Sequence, residues 1–358
     1  MDSDTAPLLL TDHVARMGSR AHVAGSVIGY PRHWQVPAAT EKSAYEALAR
    51  RPGLPDFVYL GFPWATVIDG LRNDAAPTRE LLRALDGIHG SLGAIQARRR
   101  VTVAQHIHAD KFIELFRACG VTDLFWTHAR ADRPEIGGIA VHPFPLFPAQ
   151  TPDGPEKGDL HRPRRYLANF IGAYNPKVYL TDVREHVFRD AGTAPDLLII
   201  RREAWHFERA VYAEQMKGIA PDAARLALEA QHKEEYLQAM RDSTFTLCPS
   251  GSGPNSIRIG EALALGSIPI ILTRDLALPG DLALWEGTCL IEEDSVTGYR
   301  QALARARAMP DAEVRQRQQA TLDLFAMIGP GAYGELITAR IANTMAANSR
   351  PVIGEQGQ

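Results

Sequence analysis

Cysteine is scarce in this sequence: Cys119, Cys248 and Cys289 are the only three. An odd number at wide spacing excludes a disulfide framework and a cysteine-based zinc site, and it points to a reducing compartment. Long apolar runs are missing near the start. The longest there spans residues 6–10, too short for a signal sequence or a membrane span. The expectation is a cytoplasmic protein with at most peripheral membrane contact. A charge excess is missing too, since 39 Lys and Arg nearly balance 42 Asp and Glu for a net charge of -3. Basic residues cluster briefly at 98–100, 162–165 and 201–202. That is no basic face, so nucleic acid is not expected as a partner.

What is present is the composition of a soluble globular protein, 45% hydrophobic and 23% charged. At roughly 150 residues per domain, the chain should form two domains, each with its own core. Residues 1–20 read as a loose leader. Residues 26–37 (SVIGYPRHWQVP) read as strand then loop. Residues 57–60 (FVYL) and 101–103 read as buried strands, and 123–127 (DLFWT) as another. Residues 110–119 (DKFIELFRAC) put Phe112, Ile113, Leu115 and Phe116 at helical spacing, and Gly120 follows as a C-terminal cap. The alternation predicts a parallel sheet covered on both faces.

Residues 143–163 break this pattern with PFPLFP, TPDGPEKGD and HRP, a proline density that marks a domain linker. PFPLFP, next to His142 and Gln150, could instead line an acceptor site. A second alternating set follows, with strands expected at 166–171, 197–200, 244–248, 268–272 and 288–291. Helices are expected at 221–240, 295–309, 311–327 and 333–348. The fold class is therefore α/β, with one domain over residues 1–155, a second over 156–330, and a terminal helix and polar tail over 331–358. Ligands of such sheets bind at the carboxyl ends of strands, and the cleft between the domains is the natural site.

The chemistry concentrates in residues 245–272, FTLCPSGSGPNSIRIGEALALGSIPIIL. A strand ends at Pro249, and Ser250, Gly251, Ser252 and Gly253 form a loop. Pro254, Asn255 and Ser256 then supply helix-start chemistry. The helix should reach Leu265, with Gly266 as its cap and a further strand closing a βαβ unit. Unpaired backbone N–H groups at such a loop, with the helix dipole behind them, favour a diphosphate. Arg258 in the first turn can add a charge-assisted contact. Glu261, three residues on and on the same face, can accept from ribose hydroxyls. On the residues alone, an ordinary glycine loop followed by a surface Arg–Glu pair stays open as an alternative.

This segment resembles the signature of the exostosin-like glycosyltransferases, approximately F-x-L-x-P-x-G, S-x-R, E-A and G-x-I-P-V-I. The matching residues are Phe245, Leu247, Pro249 and Gly251, then Ser256 and Arg258, Glu261 and Ala262, and Gly266, Ile268, Pro269, Ile270 and Ile271. Residues 165–172 (RYLANFIG), residues 123–128 (DLFWTH), and Trp285 with residues 292–294 resemble neighbouring blocks of the family. The resemblance, to a bacterial-type member, implies two Rossmann-like domains facing a cleft, the arrangement called GT-B. It places the donor on the C-terminal domain, with a final helix that crosses back to the first. It implies an inverting transferase that moves a sugar from a nucleotide-sugar donor, a UDP-sugar, to a glycan or lipid-linked glycan in surface polysaccharide synthesis.

Inverting transfer needs a base for the acceptor hydroxyl and positive charge for the leaving diphosphate. The charge falls to Arg258 and the amides of residues 251–256. Gly172 and Asn175, after the first strand of the second domain, approach from the other side. No cofactor and no metal are expected. Asp2 and Asp4 form a D-x-D inside the leader, and Glu292, Glu293 and Asp294 read as an acidic surface turn. The base should come from the first domain, across the cleft, from residues that follow strands there. His128 after DLFWT ranks first, His106 in VAQHIH second and Asp69 at the end of FPWATVID third, with Asp132 in the loop beyond His128. His106 and His108 stand two apart with no third ligand in sequence, a weak zinc signal. A nucleotide-sugar epimerase or hydrolase on the same fold, and a non-catalytic glycan-binding subunit, are the alternatives.

Overall fold

The computed structural model describes residues 22–348 apart from 25, 52, 55–56, 74, 76, 93–96, 98, 148–159, 161, 204–210, 212–213 and 215–216. The leader with Asp2 and Asp4, Gln150 and the polar tail lie outside the described residues.

Short runs rich in Val, Ile, Phe and Tyr form two sheets. The first contains β1 (His22–Ala24), β2 (Val27–Gly29), β3 (Phe57–Gly61), β4 (Arg99–Ala104), β5 (Asp123–Trp126), β6 (Glu135–Ile136) and β7 (Ile139–Pro143). Its spatial order is β1-β2-β3-β4-β5-β7-β6. The strands from β2 to β5 run parallel with β7, and β1 and β6 are antiparallel edges. The second sheet is all parallel: β8 (Tyr166–Gly172), β9 (Leu197–Arg201), β10 (Ser243–Pro249), β11 (Ile268–Leu272) and β12 (Leu290–Glu292). Parallel strands require crossovers. Helices α1 (Thr40–Ala49), α2 (Trp64–Asn73), α3 (Pro77–Leu92) and α4 (Ile113–Ala118) accompany the first sheet. Helices α5 (Val183–Arg189), α6 (Ala223–Arg241), α7 (Arg258–Ala264), α8 (Leu282–Thr288) and α9 (Val296–Ala308) accompany the second, and α10 (Asp311–Ile328) and α11 (Tyr333–Asn348) follow. The result is two Rossmann-like α/β domains.

The order of the second sheet, β12-β11-β10-β8-β9, locates its binding crevice. From β8 the chain moves outward to β9, then returns to β10 on the other side of β8. Such a reversal opens a crevice at the carboxyl ends of the two flanking strands. Here those ends are Gly172 and Pro249.

Several local expectations need correction. FPWATVID is no strand: from Trp64 onward it lies in α2, whose residues 64–70 are all buried. Its β-branched run, Thr66, Val67 and Ile68, mimics a strand. Asp69 therefore sits within a helix rather than at a strand end. The helix after the glycine loop starts at Arg258 rather than Pro254 and has 7 residues. Residues 110–119 divide into a 3-10 turn, Ala109–Phe112, and α4. Gly120 follows with φ 66°, a conformation that favours glycine. Thr288 still belongs to α8, and β12 begins at Leu290. Helices α1, α3, α5 and α8 are additions to the expected elements. The described part of the proline-rich stretch is packed rather than loose. The Phe144 ring lies 4.7 Å from Tyr333, and the Phe147 amide donates to Thr40 Oγ1 at 2.7 Å.

Helix α11 crosses back to the first domain. Tyr333, Ile337 and Ile341 share a buried cluster with Ala44, Tyr45 and Leu48 of α1. Arg51 donates to the Gly334 carbonyl at 2.8 Å and to Glu335 at 2.6 Å. Further along, Arg340 Nε donates to His142 Nδ1 at 3.1 Å. The other ring nitrogen, Nε2, therefore carries the proton and donates to the buried Asp123 at 2.8 Å. Ile337 is 0% exposed. Ile337→Ala should cost roughly 2–5 kcal/mol, the usual range for a core isoleucine that leaves a cavity. Urea unfolding checks this, and a loss below about 0.5 kcal/mol, typical of surface sites, would deny that α11 is seated there.

Candidate functional site

Two arginines converge at the β8/β10 crevice. Arg258 opens α7, and its guanidinium lies 4.8 Å over the Phe170 ring. Its Nη2 donates to the Ile171 carbonyl at 2.7 Å. This approach requires Gly172, because a Cβ there would stand 2.7 Å from that nitrogen. Arg184 of α5 is 4% exposed. It donates to the carbonyls of Ser250 at 2.9 Å, Ala173 at 3.2 Å and Pro249 at 3.3 Å, and stacks 4.3 Å over Tyr179. Burial, and then the charge of Arg258, pull Arg184 down to about 9. It is still a cation at neutral pH, but its charge is opposed by burial and by its neighbour.

The loops around these arginines are tied together. Ser250 Oγ donates to Asp294, which also accepts from Thr181 Oγ1 at 2.9 Å. The Leu180 amide donates to the Gly251 carbonyl at 3.0 Å. Burial raises the Asp294 carboxyl above its ordinary value despite these hydroxyl donors. Three buried atoms here, Ser256 Oγ, Arg258 Nε and Asp294 Oδ1, have no hydrogen-bond partner. Buried polar atoms are normally paired, so three in one crevice mark a place suited to a polar ligand. The acidic stretch does not act as one group. Glu292 pairs with Arg305 at 2.5 Å and Glu293 with Arg274 at 3.8 Å, while Asp294 turns inward.

Glu261 is 0% exposed and accepts from the hydroxyl of Tyr236 on α6. One of its oxygens is thus engaged in this conformation. Asn175 lies on the exposed rim, where its Oδ1 accepts from the Lys177 amide at 3.0 Å and forms a local turn.

The three candidate bases are brought close together, but in unequal states. His106 Nδ1 accepts from the His108 amide at 3.1 Å, and its Nε2 faces Asp69 Oδ1 at 3.2 Å. Both ring nitrogens are therefore occupied. Burial alone would raise the Asp69 carboxyl. Hydrogen bonds from His106 and Gln35, with the charges of His106 and Arg72, outweigh it and hold Asp69 below the usual range. His106 and Asp69 thus form a satisfied pair supporting the loop after β4. His128 differs. It follows β5, is 3% exposed, and its Nδ1 has no hydrogen-bond partner. Burial, then the charges of His106 and His108, hold it down to about 3, so its ring is neutral and carries a lone pair at physiological pH. It faces the glycine loop across the cleft. A Cβ on Gly253 would stand 2.8 Å from His128 Nδ1 and 2.9 Å from Ile107, so only glycine fits.

Sequence reasoning missed Arg184, Tyr236 and Glu41. Glu41 is 2% exposed and accepts from the amides of Ala65 at 3.2 Å and Gln105 at 2.9 Å, which braces the loop that carries His106. Burial pushes its carboxyl up to about 8 against those amides. None of the three lies in a recognisable motif. Arg184 had one usable signal, an arginine soon after the strand that ends at Gly172.

The sequence matches the Exostosin GT47 domain over residues 114–293, half of the chain and the part that contains the β8/β10 crevice and His128. It is 40% identical over 70 residues to a probable glucuronosyltransferase of Oryza sativa subsp. japonica, across 19% of this chain and 17% of that protein. A second probable rice glucuronosyltransferase is 28% identical over 159 residues, 44% of this chain and 35% of that one. The probable beta-1,4-xylosyltransferase IRX10L of Arabidopsis thaliana is 30% identical over 135 residues, 37% and 30% of the two chains. The matched region thus spans between 17% and 35% of the length of these relatives. Among solved structures, a mutant O-GlcNAc transferase of Thermobaculum terrenum aligns with TM-score 0.47 and 11% identity over 88% of this chain and 66% of that one. A putative UDP-N-acetylglucosamine 2-epimerase of Listeria monocytogenes aligns with TM-score 0.41 and 14% identity over 91% and 97%. By the match across half its length, the chain belongs to the exostosin GT47 family.

Proposed function

We propose that the protein is an inverting, metal-independent glycosyltransferase that uses a nucleotide diphosphate sugar, with UDP as the expected carrier. The acceptor would be a glycan or lipid-linked glycan in surface polysaccharide synthesis. The observation that carries this reading is the pair of arginines at the β8/β10 crevice, with His128, whose Nδ1 has no hydrogen-bond partner, packed against Gly253 of the same glycine loop. The diphosphate would lie between Arg258, Arg184 and the amides of Ser252 and Gly253, since the Gly251 and Ser256 amides donate within the loop and Pro254 has none. A bound dianion would offset the mutual repulsion of the arginines. It would also raise the proton affinity of His128, bringing a weak base toward working range. With the ring proton on Nε2, His128 Nδ1 takes the proton of the acceptor hydroxyl. The acceptor oxygen attacks the anomeric carbon, and the bond from that carbon to the phosphate oxygen breaks. Its electron pair leaves on the diphosphate, where the arginines stabilise it. Glu261 would take ribose hydroxyls by sharing or displacing the Tyr236 hydroxyl. No cofactor is needed. Among the described residues no helix is long and apolar enough to cross a membrane, so the acceptor is proposed to be met from solution or at a membrane surface.

The test is a thermal-shift panel of UDP, GDP, CMP and ADP, followed by nucleotide release with and without sugar acceptors. A nucleotide at 100 times its dissociation constant should add about 2.7 kcal/mol. Release that needs a sugar acceptor supports transfer. Release in water alone would replace it with hydrolysis, and no shift with any nucleotide would remove the donor site.

A further inference from the structure

The sequence reading places Asn255 among the donor ligands, yet both ends of its amide are used otherwise. Its Oδ1 accepts from the Ser256 amide at 2.7 Å, and its Nδ2 donates to the Thr127 carbonyl of the other domain at 2.6 Å. Thr127 immediately precedes His128. Just beyond His128, the Ala277 amide donates to the Ala129 carbonyl at 2.9 Å, and the Ala131 amide to the Asp275 carbonyl at 3.0 Å. Arg130 pairs with Asp275 at 3.2 Å. The exit of β5 is thus held by two loops of the donor domain, one after β10 and one after β11, with His128 between the two anchor points. Residues 129–131 have three contacts to their loop of the second domain, whereas Thr127, tied within its own domain through Ala104 and Gln105, meets the second domain through this one side-chain bond among the described residues.

We infer that Asn255 is a positioning residue that couples the donor loop to the base. The loop proposed to take the diphosphate also carries the amide that fixes the Thr127 carbonyl, and through it the His128 ring. Ordering of that loop by the donor would therefore align the base at the same moment. An empty or misplaced loop would leave the base out of register, which guards the donor against attack by water. This inference rests on the reading of His128 and the crevice given above.

Asn255→Asp separates the two bonds. The carboxylate still accepts from the Ser256 amide but offers oxygen instead of N–H to the Thr127 carbonyl. Asn255→Ala removes both bonds and serves as the second variant should Asn255→Asp fail to fold. The expected result is a fall in kcat of about 10–100-fold, the scale of a misplaced catalytic group. Nucleotide affinity by calorimetric titration should stay within about threefold for Asn255→Ala, which adds no charge, whereas Asn255→Asp, whose carboxylate repels a diphosphate on the same loop, is read on kcat alone. In a His128→Ala background, the same Asn255 change should add no more than about twofold, because a residue that acts through the histidine has nothing left to position. Nucleotide affinity of Asn255→Ala that falls in step with kcat/KM would overturn the inference and return Asn255 to the donor ligands. Persistence of the full loss in the His128→Ala background would overturn it as well. Failure of the underlying reading looks different, because wild type itself would then bind none of the four nucleotides, or His128→Ala alone would keep its kcat.

Discussion

Arg258→Ala is expected to lower transfer by about 10²–10³-fold, the usual effect of removing one preorganised donor from developing negative charge. It should also erase the thermal shift produced by the nucleotide. The guanidinium is held by the Phe170 face and the Ile171 carbonyl, so its orientation is set before any ligand arrives. Its Nε is buried without a partner. Arg258→Lys should recover only part of the loss, since an ammonium keeps the charge but not the flat fork or the stacking. Relief of repulsion on Arg184 works the other way. Without nucleotide, Arg258→Ala should unfold no earlier than wild type, because one of two like charges has gone. Transfer within about threefold of wild type would reject the assignment.

His128→Ala should cost about 10²–10⁴-fold in kcat, the range of a general base, with nucleotide affinity unchanged. Its pH behaviour is the more specific test. With His128 held down to about 3 by burial, the free enzyme keeps this ring neutral throughout the mildly acidic range. The acid limb of kcat/KM should therefore lie well below 6.5, where an ordinary histidine would place it. Stability follows the same sign. The unfolded chain binds a proton at this position near 6.5 and the folded chain does not until about 3, so this group's contribution is present above 6.5 and lost as pH falls. His128→Ala should flatten that part of the acid unfolding curve. An acid limb near 6.5 that survives the substitution would show that another group is the base.

Much of the second domain was legible because its strands are short apolar runs between punctuating glycines and prolines. β11 was read to the residue, and Arg258 carried both a motif and a physical role. The first domain was harder to read. The β-branched run Thr66, Val67 and Ile68 of α2 reads as a strand in the sequence, which puts Asp69 at a strand end. What distinguishes His106 from His128 is not contained in the sequence. His108 turns its own amide onto His106 Nδ1, a contact made by the fold of a single turn. Arg184 was missed because its importance comes from the carbonyls it meets, residues 173, 249 and 250, and not from its neighbours in sequence. Asn255 was recognised as polar and near the helix, but its partner lies 128 positions away.

The return of α11 to the first domain has a consequence for how the molecule is made. The α1 face of the first core is completed by Tyr333, Ile337 and Ile341, and Arg51 reaches Gly334 across 283 positions. On the ribosome, the first domain must wait with that face uncovered while the second domain is synthesised. Contacts this distant in sequence are slow to form and leave apolar surface exposed meanwhile. Assembly of the two halves is therefore ordered: the donor domain can close on its own strands, and α11 then seals the domain that was translated first.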